Sequence, residues 1–148
     1  MKKFLIYATA LFAAVSFGAC SDNGHENETD LSQLYGTWQQ TRTYGYELED
    51  GQKSDQWDEV VDEESLFTFN EGGTATARGK GWSIDIRYTQ SGNRLQMTCT
   101  TDDGETFDCT WTIEELTETR MKATQYTKET YEGSVCEEFD TMLFERVK

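Results

Sequence analysis

Four cysteines and a single histidine bound the chemistry open to this chain of 148 residues. The histidine, His25, lies in a polar segment near the N-terminus, apart from every stretch with a strand pattern. Ser-His-Asp and Cys-His catalysis both need a histidine held in the folded site, and a histidine-rich zinc site needs several. The sequence therefore predicts no enzyme. Cys20, Cys99, Cys109 and Cys136 show no Cys-x-x-Cys spacing, so neither a metal site nor a cofactor is expected. Asp55, Asp58, Glu59, Asp62, Glu63 and Glu64 do not have the spacing of an EF-hand loop and read as a solvated acidic face. Carboxylate pairs for glycoside hydrolysis carry no specificity in a chain this acidic.

What remains is binding. Trp38, Gln40, Arg42, Tyr44 and Tyr46 alternate along one run and, read as a strand, share one face. An inward row containing Gln40 and Arg42 is not pure core, because a buried charge is costly unless paired. Trp82, Tyr88, Phe107 and Trp111 occupy matching positions farther on. These residues predict a partly aromatic pocket that holds a small amphipathic molecule through Arg42 and tyrosine hydroxyls. The alternative is a filled interior with Arg42 paired to Glu47 or Asp85 at a rim. In that case the loops act on a protein partner, as an interaction module or peptidase inhibitor would. Cys99 and Cys109 flank Asp102-Asp103-Gly104. A three-residue turn centred on Gly104 sets them opposite each other, ready for a disulfide; a two-residue turn on Asp103-Gly104 offsets them by one and forbids it. Buried free thiols are the alternative.

The elements that position these residues are strands. From Leu34 the pattern has period two and is rich in Thr, Tyr, Phe, Trp and Ile. Eight strands follow: about 36–48, 65–70, 74–79, 82–89, 94–101, 105–113, 120–128 and 135–147. Short connections imply antiparallel neighbours, and eight strands in order suit an up-and-down barrel, which leaves no exposed edge. Residues 49–64 are long for a hairpin connection and read as a lid-like loop or short helix.

The N-terminus has a different character. Lys2 and Lys3, the apolar run over residues 4–17, and the small pair Gly18-Ala19 make a secretory signal over residues 1–19. The run is shorter than the roughly 20 residues that span a bilayer. Cys20 directly after the small pair resembles the lipobox of bacterial lipoproteins. That resemblance implies acylation of Cys20, a lipid anchor in the outer membrane, and an acidic tether over residues 20–30. Without Lys2 and Lys3 the chain carries 11 basic against 28 acidic side chains, a formal −17. Such a surface repels phosphate backbones, so no nucleic-acid partner is expected, and attachment to a membrane would come from lipid rather than from charge.

The domain over residues 31–148 has a resemblance of its own. Leu34-Tyr35-Gly36-Thr37-Trp38 opens the first strand with Gly-x-Trp, and Arg146 closes the last in Phe144-Glu145-Arg146-Val147. This resembles the lipocalin pattern, in particular the lipocalin-like domains of Gram-negative lipoproteins. The resemblance implies that Trp38 closes the lower end of a calycin-type barrel and that Arg146 packs over its ring, with Gly36 admitting the approach.

Overall fold

The computed structural model describes residues 31–61 and 64–148. Residues 1–19, read from the sequence as a signal, and residues 20–30, read as Cys20 and an acidic tether, lie outside the described residues. A 3-10 turn at Leu31–Leu34 leads into β1 (Gly36–Glu49), β2 (Gln52–Val60), β3 (Ser65–Asn70), β4 (Thr74–Gly79), β5 (Trp82–Ser91), β6 (Arg94–Thr101), β7 (Thr106–Leu116), β8 (Arg120–Tyr131) and β9 (Ser134–Arg146). Strands β1 and β3 to β9 pair in sequence, and β9 returns to β1. The result is the closed, antiparallel, eight-stranded barrel that the strand pattern predicts.

The stretch expected to be a lid-like loop or short helix is instead β2. Asp50 and Gly51 both have positive φ, 49° and 78°, and Glu49 pairs directly with Gln52. This is a two-residue turn of the type I′ kind, whose twist matches that of the strands it joins. The residues that follow are poor β formers, but pairing with β1 from Arg42↔Val60 to Glu49↔Gln52 decides their conformation. Strands β2 and β3 lie end to end along one edge of β1: its upper half pairs with β2 and its lower half with β3. Above the closed barrel, β8, β9, β1 and β2 therefore form a four-stranded wall. Asp50 ties its top together, with its amide donating to the Val135 carbonyl (2.8 Å) and Oδ1 accepting from the Val135 amide (2.9 Å).

A bulge in β1 sets the faces of that wall. Gln40 pairs with Phe144 and Arg42 with Leu143, so Thr41 is an extra residue opposite β9. One extra residue reverses the alternation beyond it. Trp38 and Gln40 point into the barrel, whereas Arg42, Tyr44 and Tyr46 point out.

The lower half of the barrel is packed. Trp38, Phe69, Phe144, Leu95, Ile113, Met121 and Ala123 are at most 2% exposed. Each large apolar side chain so buried contributes about 1.5–3 kcal/mol. Phe67, Phe69, Trp111 and Phe144 meet at centroid distances of 5.3–6.4 Å in tilted and edge-on contacts. At the base, the Trp38 indole donates to the Leu34 carbonyl (2.8 Å), and the Arg146 guanidinium lies 4.2 Å from its ring centroid. Arg146 also donates to the carbonyls of Tyr35 (2.8 Å), Glu118 (2.6 Å) and Gln33. A Cβ on Gly36 would stand 2.7 Å from Arg146 Nη1, and its φ of +121° suits glycine alone.

Candidate functional site: the open half of the barrel

Two rows of inward-facing residues cross the upper wall. The first runs Trp111, Gln125, Asp140, Gly45, Trp57 from β7 to β2, each paired with the next. The Trp111 indole donates to Gln125 Oε1 (2.9 Å) and the Trp57 indole to Asp140 Oδ1 (3.0 Å). Gly45 makes the second contact possible. A Cβ there would lie 2.1 Å from the Phe139 carbonyl oxygen and 2.7 Å from Trp57 Cζ2, so the indole rests on bare backbone. The second row, one level higher, is Thr127, Glu138, Glu47, Asp55. Glu47 accepts from the Ser54 hydroxyl (2.6 Å).

The acids of these rows crowd one another. Loss of solvation and the neighbouring Asp140 push the Glu138 carboxyl up to about 7, with Glu47 and Glu129 adding to the effect. Loss of solvation also raises Asp140, against the hydrogen bonds it receives from Glu138 and Trp57. Glu47 and Glu138 stand directly opposite each other, a like-charge pair that costs stability.

Burial changes along the inner face. Trp38, Phe69 and Leu95 are essentially inaccessible, whereas Trp57, Ile84, Phe107, Gln125 and Asp140 are half-buried and Trp82 is 38% exposed, although all point inward. Inward side chains that touch water mean that the upper end of the barrel is open to solvent. The residues expected to line a pocket divide accordingly. Gln40 faces in and accepts from Ser65 Oγ (3.3 Å). Trp82 and Phe107 face the open half. Tyr88 and Trp111 belong to the packed half, Tyr88 donating to the Asn70 carbonyl at the base (3.0 Å).

Arg42, Tyr44 and Tyr46 are the correction. All three lie on the outer wall. Arg42 makes a two-pronged bond to Asp58 (2.7 Å and 2.7 Å) in solvent, and neither Glu47 nor Asp85 is its partner. That bond holds the Asp58 carboxyl below its ordinary value. Tyr46 stacks on Phe139 (4.7 Å), and Phe139 meets Tyr126 (4.8 Å), forming an aromatic ladder outside the barrel. Reading the sequence missed Trp57, Asp140, Glu138 and Gln125. The Asp50-Gly51 dipeptide was the available signal for the hairpin that brings in Trp57; no comparable local signal marks the bulge.

The cysteine pair follows neither expected register. The β6–β7 turn is closed between Thr101 and Glu105, whose carbonyl accepts from the Thr101 amide (2.9 Å). It is centred on Asp103, so Cys99 stands opposite Phe107 and Cys109 opposite Met97. Both thiols face inward, unbonded, with sulfurs 3.9 Å apart. The two thiols share one hydrogen bond in which either sulfur can donate, and sharing it moves their affinities for protons apart, Cys99 downward and Cys109 upward. On the outer face of the same strands a groove of about 440 Å³ is lined by Arg87, Thr89, Gln96, Thr98, Asp108 and Thr110.

No family model matches the chain, and no curated protein sequence does. Among solved structures the fold is similar to LTBP1 in complex with leukotriene C4 (13% identity, 81% of this chain and 71% of that one, TM-score 0.59) and to a mutant of LTBP1 in complex with the same molecule (13%, 81% and 71%, 0.58). A lipocalin-like protein from Bacteroides uniformis ATCC 8492 matches 78% of this chain over 100% of its own length, at 18% identity and a TM-score of 0.47. At these identities the likeness to the LTBP1 complexes is one of fold: the chain is an antiparallel β-barrel of a kind solved elsewhere.

Proposed function

We propose that this protein is a non-catalytic binding module whose open upper barrel takes up a small amphipathic molecule. One observation carries the reading: inward-facing Trp57, Trp82 and Phe107 retain contact with water while the barrel below them is sealed. A closed base and an open, partly aromatic mouth are the form of a small-ligand site in an eight-stranded barrel. The polar groups inside are acids and an amide, Asp140, Glu138, Glu47 and Gln125, so the ligand's polar end donates hydrogen bonds or carries positive charge. Arg42, on the outside, takes no part. LTBP1, which has a similar fold, is solved in complex with leukotriene C4, in keeping with a small-molecule ligand for this chain.

A panel of long-chain amines, alcohols, sugars and fatty acids, read by melting temperature and tryptophan fluorescence, tests the proposal. Amphipathic amines or alcohols raise the melting temperature, Trp57→Ala removes the response, and Arg42→Ala leaves it unchanged. No stabilisation by any compound, or a response that depends on Arg42, defeats it. The outer ladder of Tyr46, Phe139 and Tyr126, with Tyr126 49% exposed, favours a second reading, a protein partner on the wall. In that case Phe139→Ala abolishes association and Trp57→Ala does not. For the N-terminus we propose a lipid anchor on Cys20 at the outer membrane, from the lysines, short apolar run and small pair that precede it. Labelling with a palmitate analogue that survives Cys20→Ala would overturn this.

A further inference from the structure

The geometry points to a binding site for a soft monovalent metal ion of the copper(I) class on the sulfurs of Cys99, Cys109 and Met97. Expecting no metal rested on linear spacing, and the β6–β7 hairpin brings together what the sequence keeps ten residues apart. Cys99 and Met97 alternate on one inward face of β6, and Met97 stands directly opposite Cys109 on β7. Met97 and Cys99 are 3% and 4% exposed, while Cys109 is half-buried and so leaves the pair within reach of solvent.

The two cysteine sulfurs are 3.9 Å apart. Metal–sulfur bonds of about 2.3 Å, opened to between the tetrahedral and trigonal angles, hold two sulfurs about 3.8–4.0 Å apart. A disulfide fits less well. It needs Cα atoms within about 6.8 Å, whereas diagonal cross-strand neighbours are about 7–8 Å apart. The donors also choose the ion. Two thiols and a thioether suit a soft ion such as copper(I) and not calcium, and they fall short of the four Cys or His donors of a structural zinc site. The nearest carboxylate on these strands, Asp108, is turned to the outer face and accepts from the Thr98 hydroxyl (2.7 Å). Among the described residues, no group of three or more His, Cys, Asp and Glu is placed to hold a metal ion. Binding displaces both thiol protons to solvent, the two sulfurs donate their pairs to the ion, and nothing is oxidised.

Silver(I), a redox-inert ion of the same softness, is the probe. The reduced full chain is given silver nitrate, challenged with excess monothiol, desalted and weighed by native mass spectrometry. About one silver ion per chain survives the challenge in the wild type and in Cys136→Ser, because two sulfurs fixed on one scaffold outcompete single thiols. Cys99→Ser and Cys109→Ser each retain less than about a tenth of that. Met97→Leu, which keeps side-chain volume, melts like the wild type and releases silver faster. Equal retention in Cys99→Ser and Cys109→Ser overturns the proposal, as does loss in Cys136→Ser. A Cys99–Cys109 bridge in protein isolated without reductant also overturns it, making the pair a structural disulfide.

Discussion

Replacing Arg146 with alanine removes the part that joins the two ends of the folded chain. Its guanidinium reaches the carbonyls of Gln33, Tyr35 and Glu118 and lies over the Trp38 indole. Hydrogen bonds from a charged donor are worth about 1.5–3 kcal/mol when dry, and about 1 kcal/mol each is reasonable at this partly solvated base. The cation–π contact adds about 1 kcal/mol. The total is about 4 kcal/mol, or a fall in Tm of about 15 °C for a domain of this size. Urea denaturation followed by tryptophan fluorescence reads it directly. Arg146→Lys keeps the charge but not the fork and recovers about half the loss. Arg120→Ala is the control. Its side chain is 70% exposed with Glu115 at 3.8 Å, and its loss costs at most about 0.5 kcal/mol. An Arg146→Ala variant within about 1 kcal/mol of the wild type would refute the reasoning, leaving the base of the barrel to apolar packing alone.

The remaining predictions concern the upper barrel. Gly45→Ala places a methyl against the Phe139 carbonyl and the Trp57 ring; it costs about 1–3 kcal/mol and shifts Trp57 fluorescence, whereas Trp57→Phe loses only the bond to Asp140. Glu138 binds its proton more tightly in the folded state than in the unfolded one, so its own contribution to stability is full below about pH 4.5 and is lost as pH rises to about 7. Chemical denaturation across that window shows the slope, and Glu138→Gln flattens it. Leu95→Ala, at a position 0% exposed, costs about 2–5 kcal/mol by the same assay.

The fold was legible because its signals are local: period-two stretches, Gly-containing turns and short connections name eight strands without any knowledge of their partners. Strand β2 escaped because Gln52-Lys53-Ser54-Asp55-Gln56 has the composition of a loop and is held as a strand only by β1. The pocket was half legible. Trp82 and Phe107 lie on strands that alternate without interruption, and both face the open interior. Arg42, Tyr44 and Tyr46 follow the bulge at Thr41, and alternation counted through a bulge is wrong by one for every residue beyond it. The sulfur pair escaped for a related reason. The turn centre shifts from Gly104 to Asp103, which turns an opposed or forbidden pair into a diagonal one.

Thr41 thus works as a parity bit. The chain before it and the chain after it are read in opposite frames, and the chemistry of the cavity depends on that one unit. Deleting Thr41 would leave the composition, charge and strand count of the domain almost untouched, yet it would turn Arg42, Tyr44 and Tyr46 inward and send Glu47 out to solvent. The β1 side of the cavity would change from acidic to basic and phenolic, facing the unmoved Asp140 and Glu138 of β9. In a scaffold of this kind a lineage can change what its interior prefers by gaining or losing a single residue of length, with no substitution at any lining position.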